Sequence, residues 1–480
     1  MGAVVTAIVS AVASSFSGFS FAGFLSQRLL GSALSFGLSS LSRNIAGKPK
    51  ASTRRSVESG LTQTIRQAVT ERRIVYGTQR VGGTMVALGT GNDQKYLYMA
   101  VVLASHEVTA IDTIYLNDEP IYPDMIGGGG IVASGTYANV VRIEKILGSD
   151  TQNANANMLS EITDWTSAHR LRGVAYVYVR LEYNRDAFPG GIPNISAVVR
   201  GKKLYDPRDG QTKFSDNPAL CVYDYLRDSR YGRNVDTNDL EESFFTAASN
   251  ICEEMVPCLS VAANAISVNA TTDELVLEGS PCAFQTGDRV QIASTGTYPG
   301  GLAAATDYFI IVTRENAFVD DAAPQTRVKL AASFANAFTA TSINLSSTGS
   351  GTLTLTKNAE PRYSCNGVVV LDRQPSDILN DLVASMAGRL VYIGGKWRIF
   401  AGAWQASSFT FVDSDFVAPI VVQTRRSRRD RYNAMKGQYA GPQSFYQPTD
   451  YPGVKIASYV TEDNGQEIFG QLDLGFTTRS

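Results

Sequence analysis

Asp206, Asp209 and Asp216, with Gly210 among them, put carboxylates into one loop-like stretch, and calcium binding is the chemistry they could do. An EF-hand needs ligands at alternating positions and a closing bidentate Glu. Neither is present, whereas Asp-Pro and Asp-Gly are ordinary turn dipeptides, so these aspartates are read as turn formers. Glu253-Glu254 and Asp320-Asp321 are adjacent pairs whose side chains diverge, which suits solvated surface and not a shared acid and base. Cys221, Cys252, Cys258, Cys282 and Cys365 include no CxxC and are odd in number, so they read as buried free thiols. His106 and His169, the two histidines, lie far from the cysteines in sequence, which disfavours a Cys/His zinc site and a histidine-based triad alike. No GxSxG, HExxH, Walker or dinucleotide fingerprint occurs. Gly127–Gly130 lacks the following helix and the Lys with Ser or Thr of a phosphate loop, and reads as a flexible loop. The expectation is no catalytic residue, no metal and no cofactor.

The densest basic cluster is Arg425, Arg426, Arg428, Arg429 and Arg431, opposed by Asp430 and flanked by Tyr432. Single-stranded nucleic acid calls for arginines interleaved with stacking aromatics over a larger basic face. Strand alternation would send these side chains to both faces, so intersubunit ion pairs and a polar rim are expected. Over the whole chain, 43 Lys and Arg stand against 45 Asp and Glu, and the net charge of −2 gives no general attraction to nucleic acid or anionic lipid. The charged fraction of 18% is low, as where surface is buried between subunits, and 480 residues suggest about three domains.

Residues 1–42 carry one charged side chain, Arg28, among Phe16, Phe19, Phe21, Phe24, Phe36 and many Ala, Ser and Gly. No positive residue precedes Val4–Val12, and Ser and Gly break every long apolar run, so neither a signal peptide nor a membrane span is expected. Exposing these rings together would make a patch that soluble proteins rarely tolerate, so the segment is expected to be helical and to pack on copies of itself or on a partner. Arg43, Lys48, Lys50, Arg54 and Arg55 follow as a basic linker.

From Ile74 to about Tyr205 the pattern is mainly β, with Tyr96–Ala104, Val108–Leu116 and Val174–Tyr183 as barrel-like strands. Asn217 and Pro218 then start a helix that Gly232 can end. Asp236 or Thr237 starts a second, with Leu240, Phe244, Ala248, Ile251, Cys252 and Met255 at helical spacing. Ser376 starts a third, stopped by Gly388, and Gly394-Gly395 between apolar runs signals a hairpin. Between Cys258 and about Glu360 lie at least six short strand candidates and no helical pattern. This reads as an all-β module inserted in a loop. After Phe409 the chain is again β-like. Trp397, Trp404, Tyr439, Tyr446, Tyr451 and Tyr459 fit core and interface anchors alike.

Four blocks occur in one order: SAVVRGKKLYDPRDGQTKFSDNPALCVYDYLRDSRYGR at Ser196–Arg233, NICEEMV at Asn250–Val256, RYSCNGVVVLDRQPSDILNDLVASMAGRLVYIGGKWRIFAG at Arg362–Gly402, and SRRDRYNAM at Ser427–Met435. Together they resemble the central tail-tip (baseplate hub) proteins of long-tailed bacteriophages, the tip attachment protein J family, over most of 196–480 outside the insertion. The resemblance implies an α+β, mainly β fold: two β-barrel hub domains, an α+β domain between them and an inserted all-β module. The boundaries would be 1–50 for the apolar segment and linker, 51–205 for the first barrel, 206–258 with 359–405 for the α+β domain, 259–358 for the insertion and 406–480 for the start of the second barrel. It implies a non-enzymatic homotrimer at the distal tip of the virion tail, made in the host cytoplasm. Such a hub closes the tail tube and opens on host attachment for tape measure and DNA release. Its partners would be distal tail and tail-tube proteins, the tape measure protein and tail fibres, with DNA only passing through the channel. Family members continue into receptor-binding regions, expected here beyond Ser480 or on another chain. The apolar start departs from the family's short polar leader, and is expected to plug the lumen and to reach the host membrane afterwards. A tail-associated cell-wall hydrolase and a secretion-system spike hub are the alternatives.

Overall fold

Valine and tyrosine alternate through Ala175–Glu182, and the alternation feeds two cores. Val177, Val179 and Leu181 enter one hydrophobic cluster while Tyr176 and Tyr178 enter another on the opposite face. The computed structural model that shows this describes residue 64 and residues 70–278, 284–317, 325–407, 409–416, 432–444 and 446–477. The protein is mainly β with a few short helices, an α+β fold.

The first unit contains β1 (Arg73–Tyr76), β2 (Thr78–Gly82), β3 (Thr84–Gly91), β4 (Tyr96–Ala104), β5 (Ala110–Leu116), β6 (Glu119–Ile121), β7 (Val141–Ile146), β8 (Ala175–Glu182) and β9 (Ile195–Arg200). Two four-stranded antiparallel sheets, ordered β2-β9-β5-β6 and β3-β4-β8-β7, face each other across one core. Among the described strands no ladder joins them into a ring. Helix α1 (Ala156–Glu161), capped by the Asn155 side chain on the Met158 N–H, covers the outer face of the second sheet with Trp165.

Past β10 (Lys203–Asp206) and β11 (Gln211–Phe214), α2 (Pro218–Arg227) starts as its sequence dictates, with Asn217 accepting from the Ala219 N–H and Pro at the first position. It ends five residues before Gly232, whose role is different. A Cβ there would lie 2.1 Å from the Tyr225 carbonyl oxygen, so the glycine lets the chain fold back over the helix. Helix α3 (Glu242–Glu253) starts later than the expected Asp236 or Thr237, because those residues close a separate 3-10 turn at Thr237–Asp239. Leu240, Ala248, Ile251 and Cys252 join the helical core as the spacing expects. Phe245 is buried where the spacing had pointed to Phe244, and Met255 belongs to the next strand.

The chain then enters a closed six-stranded barrel of β12 (Met255–Asn269), β13 (Glu274–Leu277), β14 (Arg289–Ser294), β15 (Asp307–Ala317), β16 (Gln325–Ala331) and β17 (Leu353–Pro361). Entry and exit are one antiparallel stem, Met255↔Pro361 to Pro257↔Ala359. A five-residue helix, α4 (Phe334–Phe338), interrupts the strand-only pattern. The Phe338 ring lies 4.4 Å from that of Phe214, and its carbonyl accepts from Arg200, so α4 holds the barrel on the preceding units. Arg314 pairs with Asp124 on the same side.

After the barrel, β18 (Gly367–Val370) returns to pair with β1. Helix α5 (Pro375–Ala384) and the hairpin of β19 (Arg389–Ile393) and β20 (Lys396–Phe400) complete a core with α2 and α3. Gly394 and Gly395 turn that hairpin at φ of 64° and 80°. The β1–β18 ribbon lies between two cores: Val75 and Val368 face the sheets, and Ile74, Tyr76 and Val369 face the helices. The β continuation after Phe409 is reduced to β21 (Ala434–Lys436), β22 (Gln438–Ala440), β23 (Pro448–Asp450), β24 (Val454–Lys455) and β25 (Phe469–Gln471), with one short helix, α6 (Ala457–Glu462). Gly441-Pro442, Pro448 and Pro452-Gly453 keep these pieces short.

Candidate functional site

Of the aspartates singled out for metal chemistry, Asp206 and Asp209 serve the β10–β11 turn. Asp206 accepts from the backbone N–H and side chain of Arg208, and Asp209 accepts from the Gln211 N–H and from Lys213. Burial works to raise the Asp206 carboxyl, but the Arg208 hydrogen bonds prevail and hold it below the ordinary range. Arg208 reaches on to Glu253, while Glu254 pairs with Arg362 at 2.8 Å, so the adjacent glutamates serve different partners. Asp216 gives its backbone carbonyl to the Cys365 N–H. Among the described residues no group of three His, Cys, Asp or Glu is arranged for a metal.

His106 is buried in the β unit, its Nε2 accepting from the Val75 N–H and its Nδ1 facing the Glu107 carbonyl. Burial holds the imidazole down to about 4. His169 is exposed and lies 4.9 Å from the Trp165 ring. Cys221, Cys252 and Cys365 are buried in the helical core and Cys258 is half-buried; Cys282 and Asp320-Asp321 lie outside the described residues. Gly127–Gly130 is a tight hydrogen-bonded turn and not the flexible loop expected, because Gly127 donates to the Ile131 carbonyl and Gly130 to the Gly127 carbonyl.

Between the β unit and the helices lies an ionic joint. Tyr76 and Lys202 both donate to Asp224, each at 2.8 Å, and Lys202 also pairs with Asp228. Burial raises the Asp224 carboxyl above the ordinary range, with Lys202 and Tyr76 opposing. Burial would lower Lys202, but the two carboxylates outweigh it and raise the amine. This cluster fixes geometry between units.

Large apolar side chains stand in water along one stretch of the chain, Tyr392, Ile393, Phe400, Trp404, Phe409, Phe411, Val412 and Phe416. Trp404 is 89% exposed and Phe411 67%. Phe409 and Phe411 meet edge to face at 5.1 Å, and Phe416 lies 5.8 Å from Phe411. The sequence signal was the Phe-x-Phe alternation beside a glycine hairpin, which reads equally as an ordinary strand. Trp404 is thus separated from Tyr439 and Tyr446, which are buried. The residues expected from sequence to form the interface, Phe16, Phe19, Phe21, Phe24 and Phe36 with Arg425, Arg426, Arg428, Arg429 and Arg431, lie outside the described residues.

No family model matches the chain, and no curated protein matches it. Among solved structures it is similar to a chain of the virion of a native gene transfer agent (GTA) particle. The identity is 11%, the TM-score 0.42, and the match covers 90% of this chain and 74% of that one.

Proposed function

We propose that this chain is a structural virion protein, the central hub of a phage tail tip, acting as a homotrimer that closes the tail tube. One observation carries the reading. Three of the four sequence blocks that resemble tip attachment proteins build one core although the barrel separates the third from the first two: Leu204 and Leu220 come from the first block, Cys252 from the second, and Cys365, Ile378 and Ile399 from the third. Residues that specify a single packed unit across so long a gap are the kind that a family resemblance preserves. The exposed rings from Tyr392 to Phe416 give such a hub a surface for neighbouring copies or for distal tail and tail-tube proteins.

In this reading the role is mechanical and not catalytic. Residues 1–42 plug the lumen against the tape measure protein and move toward the host membrane when the tip opens, and tail fibres attach around the hub. Native mass spectrometry of the purified chain and symmetry determination on assembled tails test it. Three copies in a closed threefold ring are the expected result; a stable monomer, or sixfold symmetry for this chain, refutes it.

A further inference from the structure

The two sheets of the first unit end in β2, β6, β3 and β7, and three of these edges are short or covered. At β2 the Thr78 N–H donates to the Asn366 side chain and Arg73 donates to the Gly82 carbonyl. β6 is three residues long and contains Pro120. β7 meets a neighbouring segment, where Ile131 bridges Arg142 and the Val132 N–H donates to the Val141 carbonyl. β3 is different. It pairs with β4 along one side, and among the described residues no backbone group from Met85 to Gly91 bonds anything else.

The sequence of β3, TMVALGTG, holds no charged residue and no proline, the devices that commonly keep an edge from pairing. A bulge between Met85 and Ala87 leaves Ala87–Gly91 in regular register with β4. Met85 and Leu88 lean half-buried on the core between the sheets, and Ala87 leans on the cluster of the outer face. A strand added beside β3 would therefore meet apolar surface on both of its faces. The occupant this edge suits is extended, uncharged and apolar on both sides.

We propose that Val4–Val12 of the same chain, which lies outside the described residues, docks on β3 as an added strand. Its sequence, VVTAIVSAV, has no charge, glycine or proline, and Val4, Val5, Thr6, Ile8, Val9 and Val12 are β-branched, the residue type that strands favour. The rival run outside the described residues, Val417–Val422, is broken by Pro419. The chain also arrives at the right place. Thr64 Oγ1 donates to the Ile195 carbonyl, which accepts from the Gly83 N–H immediately before β3 as well. Residues 13–63 reach on the order of 150 Å if extended, several times the length of β3, so the tether permits docking and keeps the local concentration high. The helix expected for residues 1–42 would then start after Val12, and the assignment holds whether or not the chain is a tail hub.

The test is hydrogen–deuterium exchange, read by mass spectrometry, on the full chain, on the chain lacking residues 1–12 and on a full-length variant carrying both Ile8→Pro and Val9→Pro. Of two successive strand residues one N–H must face β3, and proline has none to give. The β3 amides that face away from β4 should exchange at least about tenfold faster in both variants than in the native chain, with β8 unchanged as the control for folding. A capped peptide of residues 4–12, carrying two added lysines for solubility, should restore protection to the shortened chain. Phe21→Ser, outside the docking segment, should leave β3 as protected as in the native chain. Equal exchange of β3 in the native chain and both variants, or no effect of the peptide, overturns the proposal. Protection that is lost on dilution of the native chain would assign the strand to a second copy and overturns the intramolecular docking.

Discussion

Acid should act on this protein first through His106. Its imidazole is fully built into the β unit, with Nε2 accepting from the Val75 N–H, and burial holds it down to about 4 against an ordinary 6.5. The folded state therefore binds fewer protons than the unfolded chain between those values. A depressed group contributes stability that is complete above the unfolded value and is lost as pH falls through the folded one. The separation corresponds to roughly 3 kcal/mol in full, of which about 2 kcal/mol is gone by pH 5. Other groups overlap the window only in part. Asp206 and Asp228, held low by Arg208 and Lys202, give up their contribution below the ordinary carboxylate range. Asp224, raised by burial, has the opposite sign. These are common to the native chain and to His106→Gln, so the difference between the two isolates the histidine. The assay is urea unfolding of both proteins at closely spaced pH values from 7.5 to 4.5. The variant starts lower by the loss of one adapted hydrogen-bonding group, about 1 kcal/mol, and its curve should then be flatter. Parallel curves between pH 7 and pH 5 would refute the reasoning.

Lys202→Met should lower stability by about 3–5 kcal/mol, since it leaves Asp224 and Asp228 buried without their cation; adding Asp224→Asn should recover much of the loss, and denaturant midpoints read both. Gly130→Ala should cost more than about 1 kcal/mol, because φ is 78° and the new Cβ would lie 2.5 Å from the Ile143 carbonyl oxygen. Gly128→Ala, with open space around it, should stay within about 0.5 kcal/mol, so equal midpoints for the two variants would contradict the turn geometry. Excising residues 259–358 and bridging Cys258 to Ala359 with Gly and Ser should leave the helical unit folded, because Pro257 and Ala359 are already register partners. The expected loss is about 1–2 kcal/mol from exposing Phe214 and removing one of the acceptors of Arg200, which keeps Asp112; circular dichroism showing an unfolded helical unit would sink the expectation.

The elements most legible in the sequence were those fixed by local chemistry. Asn217-Pro218 announced the start of α2 to the residue, and Gly394-Gly395 announced the β19–β20 turn, because capping and positive φ are decided within a few residues. The strand candidates between Cys258 and Glu360 correspond to β12–β17, yet alternation could not say which strand pairs with which. Face and phase were less legible. On α3 the spacing found Ala248 and Cys252 but pointed to Phe244 where Phe245 is the buried ring, and nothing in it marks the 3-10 turn at Thr237–Asp239 as separate. At the surface, Phe409 and Phe411 look like strand residues until their exposure is known.

The β1–β18 ribbon shows why these pieces behave as one body. Its two strands come from residues 73–76 and 367–370, so the pairing forms only when both ends of the intervening chain are in place. Each strand then serves two masters by simple alternation, Val75 and Val368 toward the sheets and Ile74, Tyr76 and Val369 toward the helices. Tyr76 carries the coupling further, since its hydroxyl bonds Asp224 on α2, which shares Lys202 with Asp228. His106 holds the same ribbon from the other side through the Val75 N–H. A perturbation of either polar group thus reaches both cores through one strand of four residues, whereas the barrel is tied to the rest by the stem, the α4 contacts and the Arg314–Asp124 pair. The barrel thus meets the other units through side chains at its surface and a short stem, whereas the ribbon contributes its own residues to both cores, so a change in the ribbon acts on the two units at once.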